Sequence, residues 1–192
     1  MRRYFRLCDQ VDAVPKRWHL DWARLADGTE PSLSRGIFFD SRERPVIPVT
    51  HAGLVLDFCL TSFAVPVATE ALADAVSTVA GADVQCVPVE ISGQQGMVVL
   101  NSLRVVRCID EQHSEFIKWT AQDHRADLAG QYRSITRLVL DARAIPADAR
   151  FFRLDGSFVE LVVTEDVKDA MERVGCFGAK FIELAVTSGY SG

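Results

Sequence analysis

Two stretches of this chain share one order of elements: an apolar strand, a capped helix and a second apolar strand. In the later stretch, Thr164 precedes an acidic first turn and Gly175 follows the last turn, and these residue types are favoured at helix boundaries. In the earlier stretch, Thr69 and Gly81 hold the same positions. The pattern predicts an α+β fold with a mixed, largely antiparallel sheet and a few short helices, containing two similar strand-helix-strand units.

Apolar residues recur at helical spacing in both predicted helices. The expected core-facing positions are Leu72, Ala75, Val76 and Val79 in the first helix, and Val167, Ala170, Met171 and Val174 in the second. We expect Thr69 and Thr164 to cap these helices through hydroxyl groups that accept a hydrogen bond from a backbone N–H.

Two further stretches predict strands. Residues 97–109 form the longest β-rich segment, which we expect at the centre of a sheet with a bend near Asn101 and Ser102. The string RFFRLDGSFVELVV predicts a hairpin that turns at Asp155 and Gly156, because Asp-Gly accepts the positive φ of a tight turn.

The first 56 residues predict a segment that packs with the α+β domain, residues 57–192, as one compact unit. Trp18 and Trp22 are four residues apart, so in a helix they would share one face. We therefore expect a tryptophan-bearing helix followed by a loop. The shared face suits either the core or a binding surface.

Composition and charge narrow the classes of function. The net charge is −5, and residues 51–100 contain no Lys or Arg, which argues against nucleic-acid binding because phosphate contacts need clustered cations. No segment predicts a signal peptide or a membrane span. Five cysteines without a CxxC spacing are expected to be reduced core residues of a cytoplasmic protein.

Residues 110–127, here called the polar block, are predicted to form a solvated helix and loop. Histidines and carboxylates in this block could bind a divalent metal or exchange protons, but their spacing matches no metal or catalytic motif. We assign no catalytic, cofactor-binding or metal-binding residues. Arginines elsewhere are expected on a solvated strand face, namely Arg133, Arg137, Arg150 and Arg153.

Several strings, in order, resemble a known family: DFCLTSFAVPVATEALADAV, VQCVPVEI, VVLNSLRVVRCIDEQHSEF, AGQYRSITRLVLD and FFRLDGSFVELVVTEDVKDAMERVGCFGAKFIEL. Together they are similar to the bacterial polymorphic-toxin immunity protein family numbered eleven, formerly a domain of unknown function. The similarity runs from Asp57 to Leu184. The resemblance implies a cytoplasmic protein that neutralises a toxin domain by direct binding, and it brings no catalytic residues.

Three hypotheses follow. The first is a non-catalytic inhibitor that covers the active site of a toxin. The second is a regulatory binding module for an endogenous factor such as a transcription regulator, and the third is a small metal- or acid/base-dependent enzyme. For the binding hypotheses we expect an acidic surface around aromatic anchors, formed by Asp110, Glu111, Glu115, Phe116 and Trp119.

Overall fold

The computed structural model describes residues 2–10 and 16–187. Its helices are α1 (Glu70–Ala80) and α2 (Glu165–Arg173). In chain order, the strands of the described residues are β1 (Tyr4–Asp9), β2 (His19–Leu20), β3 (Val49–His51), β4 (Phe58–Leu60), β5 (Pro66–Thr69), β6 (Val84–Pro88), β7 (Met97–Ser102), β8 (Val105–Val106), β9 (Glu115–Lys118), β10 (Tyr132–Arg137), β11 (Val139–Asp141), β12 (Phe151–Leu154), β13 (Ser157–Thr164), β14 (Ala179–Glu183) and β15 (Ala185–Thr187).

The strands form two larger sheets and several strand pairs. The five-stranded sheet has the order β14-β1-β13-β12-β8, and the four-stranded sheet has the order β4-β5-β7-β6. Most pairs are antiparallel, whereas β8 with β12 and β11 with β15 are parallel. The predicted α+β class with a mixed, largely antiparallel arrangement is therefore confirmed.

Each helix connects two strands that flank a third strand. Helix α1 joins β5 to β6 with β7 between them, and α2 joins β13 to β14 with β1 between them. The enclosed strand is antiparallel to both of its neighbours in each case. The similarity of the two units in sequence stays a prediction.

Alternate residues of the central strands enter different cores, because successive side chains of a strand point to opposite faces. In β7, Val98 and Leu100 join the core that contains α1 and α2, whereas Val99 joins a second core with Trp18 and Ile47. A third core lies around β11, β12 and β13. Both faces of the four-stranded sheet are thus covered.

The first 56 residues contribute to this packing in two ways. Strand β1 lies inside the five-stranded sheet, and Trp18, Leu33 and Ile47 fill the second core. The boundary after residue 56 stays a prediction.

The predicted tryptophan-bearing helix is wrong for the described residues 16–56. The backbone around Trp18 is extended, and its N–H donates to the carbonyl of Leu54. Further along, the backbone N–H groups of Asp21 and Arg24 donate to the carbonyls of Pro48 and Val46, respectively. Because these donors find partners in a distant segment, no i to i−4 ladder forms.

Both threonines occupy the N-cap position of their helices, but neither hydroxyl makes the expected cap hydrogen bond. Instead, backbone carbonyls accept the first helical N–H groups. The Glu70 backbone N–H donates to the Gly96 carbonyl with an N···O distance of 2.8 Å, and the Glu165 N–H donates to the Arg3 carbonyl at 3.2 Å. The hydroxyl caps assigned to Thr69 and Thr164 are therefore a wrong prediction, although the helix starts are correct.

The helix ends and turns follow the sequence closely. Gly81 and Gly175 have φ of 56° and 74° just beyond the helices, and Gly156 has φ of 75° in the predicted hairpin turn. Val174, however, lies past the end of α2 with 51% of its surface exposed, so its predicted core position is wrong.

Neither described helix has the length and apolar character needed to cross a bilayer.

Candidate functional site

The polar block contains a strand rather than the predicted helix. Strand β9 pairs with β10 in a two-stranded antiparallel ribbon. Helical geometry is limited to a turn at residues 110–114 and a short 3-10 segment, Ala126–Leu128. The backbone groups of residues 115–118 bond across to β10, and this pairing replaces the helical ladder that the polar composition indicated.

Phe116, Lys118 and Tyr132 share the less exposed side of this ribbon, and the exposed Glu111 side chain contacts Lys118 and Tyr132 there. The Phe116 and Tyr132 rings meet edge to face with centroids 5.1 Å apart. Glu111 accepts hydrogen bonds from Lys118 Nζ and the Tyr132 hydroxyl, each at 2.6 Å. These two donors hold the pKa of Glu111 below its usual value. Both predicted residues thus stabilise the ribbon through contacts with its other side chains.

Asp110 anchors the base of the ribbon. Its carboxylate accepts hydrogen bonds from the Thr187 hydroxyl at 2.6 Å and from the Gln112 N–H at 3.0 Å, and it pairs with His113 Nδ1 at 2.8 Å. Led by the bond from Thr187, these contacts lower the pKa of Asp110 to about 2. Asp110, which we predicted in the partner surface, therefore also stabilises the local structure.

Glu115 and Ile117 lie on the outer, solvent-facing side of the ribbon. Arg137 lies opposite Glu115 in the register of the two strands. Trp119 follows β9 and carries the Arg133 guanidinium 5.1 Å from its ring centroid. The structure therefore separates the five predicted residues: Phe116 and Glu111 contact Tyr132 on one side, Asp110 lies at the base, and Glu115 and Trp119 remain on the outer side.

The histidines and carboxylates of the polar block have separate partners. Among the described residues, no group of three or more potential ligands could hold a metal ion. The pairs that form are His113 with Asp110, Asp123 with Thr120, His124 with Trp119, and Asp127 with Arg125.

A second candidate site is an apolar groove that the sequence did not place. Its walls include Trp22, Phe63, Phe158, Val159 and Arg35, and it encloses about 280 Å³. The Trp22 and Phe63 rings are 3.4 Å apart between centroids, and the Arg35 guanidinium lies 5.0 Å from the Phe158 centroid. Tryptophan and arginine, with aromatic neighbours, are the side chains that dominate binding energy at protein interfaces.

Arg35 of the groove wall begins a short segment, residues 35–39, here called the strap. Ile37 is 55% exposed and Phe38 is 61% exposed. Gln85 Oε1 accepts from Phe39 N–H at 2.9 Å and Gln85 Nε2 donates to Phe39 O at 2.8 Å. The buried Asn101 amide donates to Ile37 O at 2.9 Å. The strap is thus held to the four-stranded sheet while two large apolar side chains face solvent.

Gly36 lets the strap approach strand β8 closely. Its φ is +73°, and a Cβ at this position would lie 2.8 Å from Val105 Cγ2. An alanine here would meet both backbone strain and a steric clash.

A buried arginine supports the wall of the groove. Arg153 is fully buried, and its guanidinium donates to Ala64 O at 2.5 Å and Val159 O at 3.2 Å. Burial lowers the pKa of Arg153 to about 10, so the side chain remains charged at neutral pH. Its predicted position on a solvated strand face is wrong. The hydrogen bond from Arg153 holds Ala64, whose φ of 58° is unusual for a residue with a side chain.

The sequence left two roles open for Trp18 and Trp22, core packing and a binding surface, and the structure gives the two residues different positions. Trp18 is buried in the second core, whereas Trp22 lines the groove. Their spacing signalled two large aromatic anchors, but the other walls of the groove come from distant segments that no local pattern connects.

No family model matches the chain, and no curated protein matches it either. The resemblance to the immunity family therefore stays a prediction.

Proposed function

We propose that this chain is a non-catalytic protein-binding protein, of the immunity type, that acts in the cytoplasm and neutralises a bacterial toxin domain by direct binding. The supporting observation is the joined groove and strap. The strap begins at Arg35 of the groove wall and exposes Ile37 and Phe38, and the groove itself gathers Trp22, Phe63 and Phe158, all at least partly open to solvent. Contiguous exposed apolar side chains of this size are typical of protein–protein contact sites.

The rigidity of this surface also supports the proposal. Gln85 and Asn101 hold the backbone of the strap, and Arg153 holds the turn that carries Phe63. A surface that is ordered before binding loses less conformational entropy on association, which favours the tight binding that inhibition needs.

The outer side of the β9–β10 ribbon, which carries Glu115 and Trp119 of the predicted partner surface, is a second candidate contact region. Trp119 with Arg133, together with Ile117 and Glu115, combines aromatic, cationic and apolar groups. Glu111 is not a suitable position for a binding test, because its substitution removes the contacts with Lys118 and Tyr132 that hold the ribbon.

The first experiment identifies the partner. The full chain, used as bait in an extract of its source cell, should retain one protein that mass spectrometry identifies as a toxin domain. Capture of an endogenous regulator instead would favour the regulatory hypothesis and contradict the immunity assignment.

The second experiment locates the contact. We expect Phe38→Ser and Phe63→Ala each to weaken binding to the identified partner by about 30-fold or more, the loss typical of a hot-spot truncation of about 2 kcal/mol. Titration calorimetry measures the affinity. Co-expression with the partner tests whether neutralisation is lost in parallel.

A matched control is Val174→Ser, which removes an apolar side chain of similar exposure outside the groove and strap. It should bind like the parent. If Phe38→Ser and Phe63→Ala also bind like the parent while Trp119→Ala does not, the ribbon is the contact surface and the groove assignment is wrong.

A further inference from the structure

Two histidines lie directly opposite each other on neighbouring strands, outside the groove and the ribbon. His19 of β2 pairs with His51 of β3 in antiparallel register. Their ring centroids are 5.4 Å apart and the ring planes are inclined at 73°. Both residues are exposed. Since directly opposed side chains extend from the same face of a strand pair, the backbone itself keeps the two imidazoles together.

The distance between the rings allows one metal ion to be bound by both when each ring turns a nitrogen toward it. With a Zn–N bond of about 2.0–2.1 Å, the ion lies about 3.2 Å from the centroid of each coordinating ring. Two centroids 5.4 Å apart then subtend about 115° at the metal, close to the tetrahedral angle that Zn²⁺ adopts. A square-planar ion, which needs about 90° between neighbouring ligands, would require the centroids to be closer.

Two cationic side chains, Arg17 and Lys16, lie beside the pair, so a bound metal ion meets some charge repulsion. The Arg17 guanidinium is itself paired with the Asp9 carboxylate at 2.9 Å, which offsets its repulsion. Lys16 also lines this depression, together with Gly53 and Leu54.

We propose that His19 and His51 form a Zn²⁺-binding site. The described residues supply no third side-chain ligand, so water fills the remaining positions in the isolated chain. Those positions are open to donor atoms of other molecules, because both histidines are exposed.

The test is a titration of the full chain, free of any polyhistidine tag, with ZnCl₂ by calorimetry. We expect one Zn²⁺ per chain. His19→Ala and His51→Ala should each weaken binding by more than about tenfold, because even the loss of a hydrogen-bond partner of a metal ligand costs 10- to 100-fold. Zinc should also raise the thermal midpoint of the parent but not of either variant.

His124→Ala is the matched control, since it removes an exposed histidine that contacts Trp119 edge to face beside the ribbon. Its zinc affinity should equal that of the parent. Equal affinity in His51→Ala, or no heat of binding to the parent at millimolar ZnCl₂, would overturn the proposal. Neither result affects the groove, because His19 and His51 do not line it.

Discussion

At the level of single residues, the two helix N-termini show how a local rule can give the correct boundary for the wrong reason. Thr69 and Thr164 mark where α1 and α2 begin, but carbonyls of Gly96 and Arg3 accept the first helical N–H groups. These carbonyls directly precede the enclosed strands β7 and β1. No pattern within ten residues of either threonine could indicate acceptors supplied by another strand.

Thr164 offers a direct test of this difference. Its side chain is fully buried and its hydroxyl has no hydrogen-bond partner. Valine has nearly the same shape and suits the extended backbone at this position. Because an unsatisfied buried hydroxyl costs about 1–3 kcal/mol, we expect Thr164→Val to leave the free energy of unfolding unchanged or to raise it by about 1 kcal/mol. Urea denaturation measures the change.

A hydroxyl cap at this position would give the opposite sign, a loss of about 1 kcal/mol. Such a loss would show that the hydroxyl does bind the helix terminus in solution. Thr69→Val provides the comparison, since the Thr69 side chain is partly exposed and also makes no cap bond. Its effect should stay within about 0.5 kcal/mol.

Among the secondary-structure elements, those defined by neighbouring residues were predictable and those defined by distant partners were not. Helices α1 and α2 and the Asp155–Gly156 hairpin follow from caps, spacing and glycine positions close in sequence. The tryptophan-bearing segment and β9 were misassigned as helices, because their backbone bonds go to residues 54 and 132–137. Helical spacing of side chains cannot reveal such pairing.

The strap is the clearest case of an element fixed from a distance. Its backbone is held by two side chains, Gln85 and Asn101, that follow it by 46 and 64 residues. Neither amide had a recognisable role in the sequence. The groove was hidden for the same reason, although the sequence left a binding surface open as one role for Trp22.

Removing the Gln85 amide should release the strap. Gln85→Ala deletes both hydrogen bonds to Phe39, each worth about 1 kcal/mol. We expect amide hydrogen exchange of residues 37–39 to accelerate by about tenfold or more. Mass spectrometry of peptic fragments measures the rates.

Gln95→Ala is the control, because this glutamine is exposed and lies outside the contacts of the strap. If exchange in residues 37–39 is equally slow in Gln85→Ala and Gln95→Ala, the amide does not order the strap. Gln85→Ala retains Phe38. If this variant nevertheless binds the partner more weakly, the order of the strap contributes to binding in addition to its apolar area.

For the whole molecule, the arrangement of cores implies that residues 1–56 and 57–192 unfold together. Helices α1 and α2 share the first core, and β7 separates this core from the second one, which contains Trp18. Because the apolar side chains of β7 alternate between the two cores, loss of one core removes the support of the other face. The sequence indicated one compact unit, but not that a single strand would join its cores.

Met171→Ala tests this connection. Met171 is fully buried on α2 in the first core, so its truncation should lower the free energy of unfolding by about 2–5 kcal/mol. In a background where phenylalanine replaces Trp22 and Trp119, fluorescence reports on Trp18 alone. The urea midpoint seen by Trp18 should fall as far as the midpoint seen by far-UV circular dichroism, because both signals follow one cooperative transition.

Met171→Leu conserves volume and should cost less than about 1.5 kcal/mol by both signals. An unchanged Trp18 midpoint in Met171→Ala, beside a shifted circular dichroism midpoint, would mean that the segment containing the groove and strap unfolds separately. A separate unit would also weaken the rigidity argument for the binding surface, since Trp22 and the strap belong to residues 1–56 while Phe63 and Phe158 do not. Coincident midpoints would place both walls of the groove in one cooperative structure.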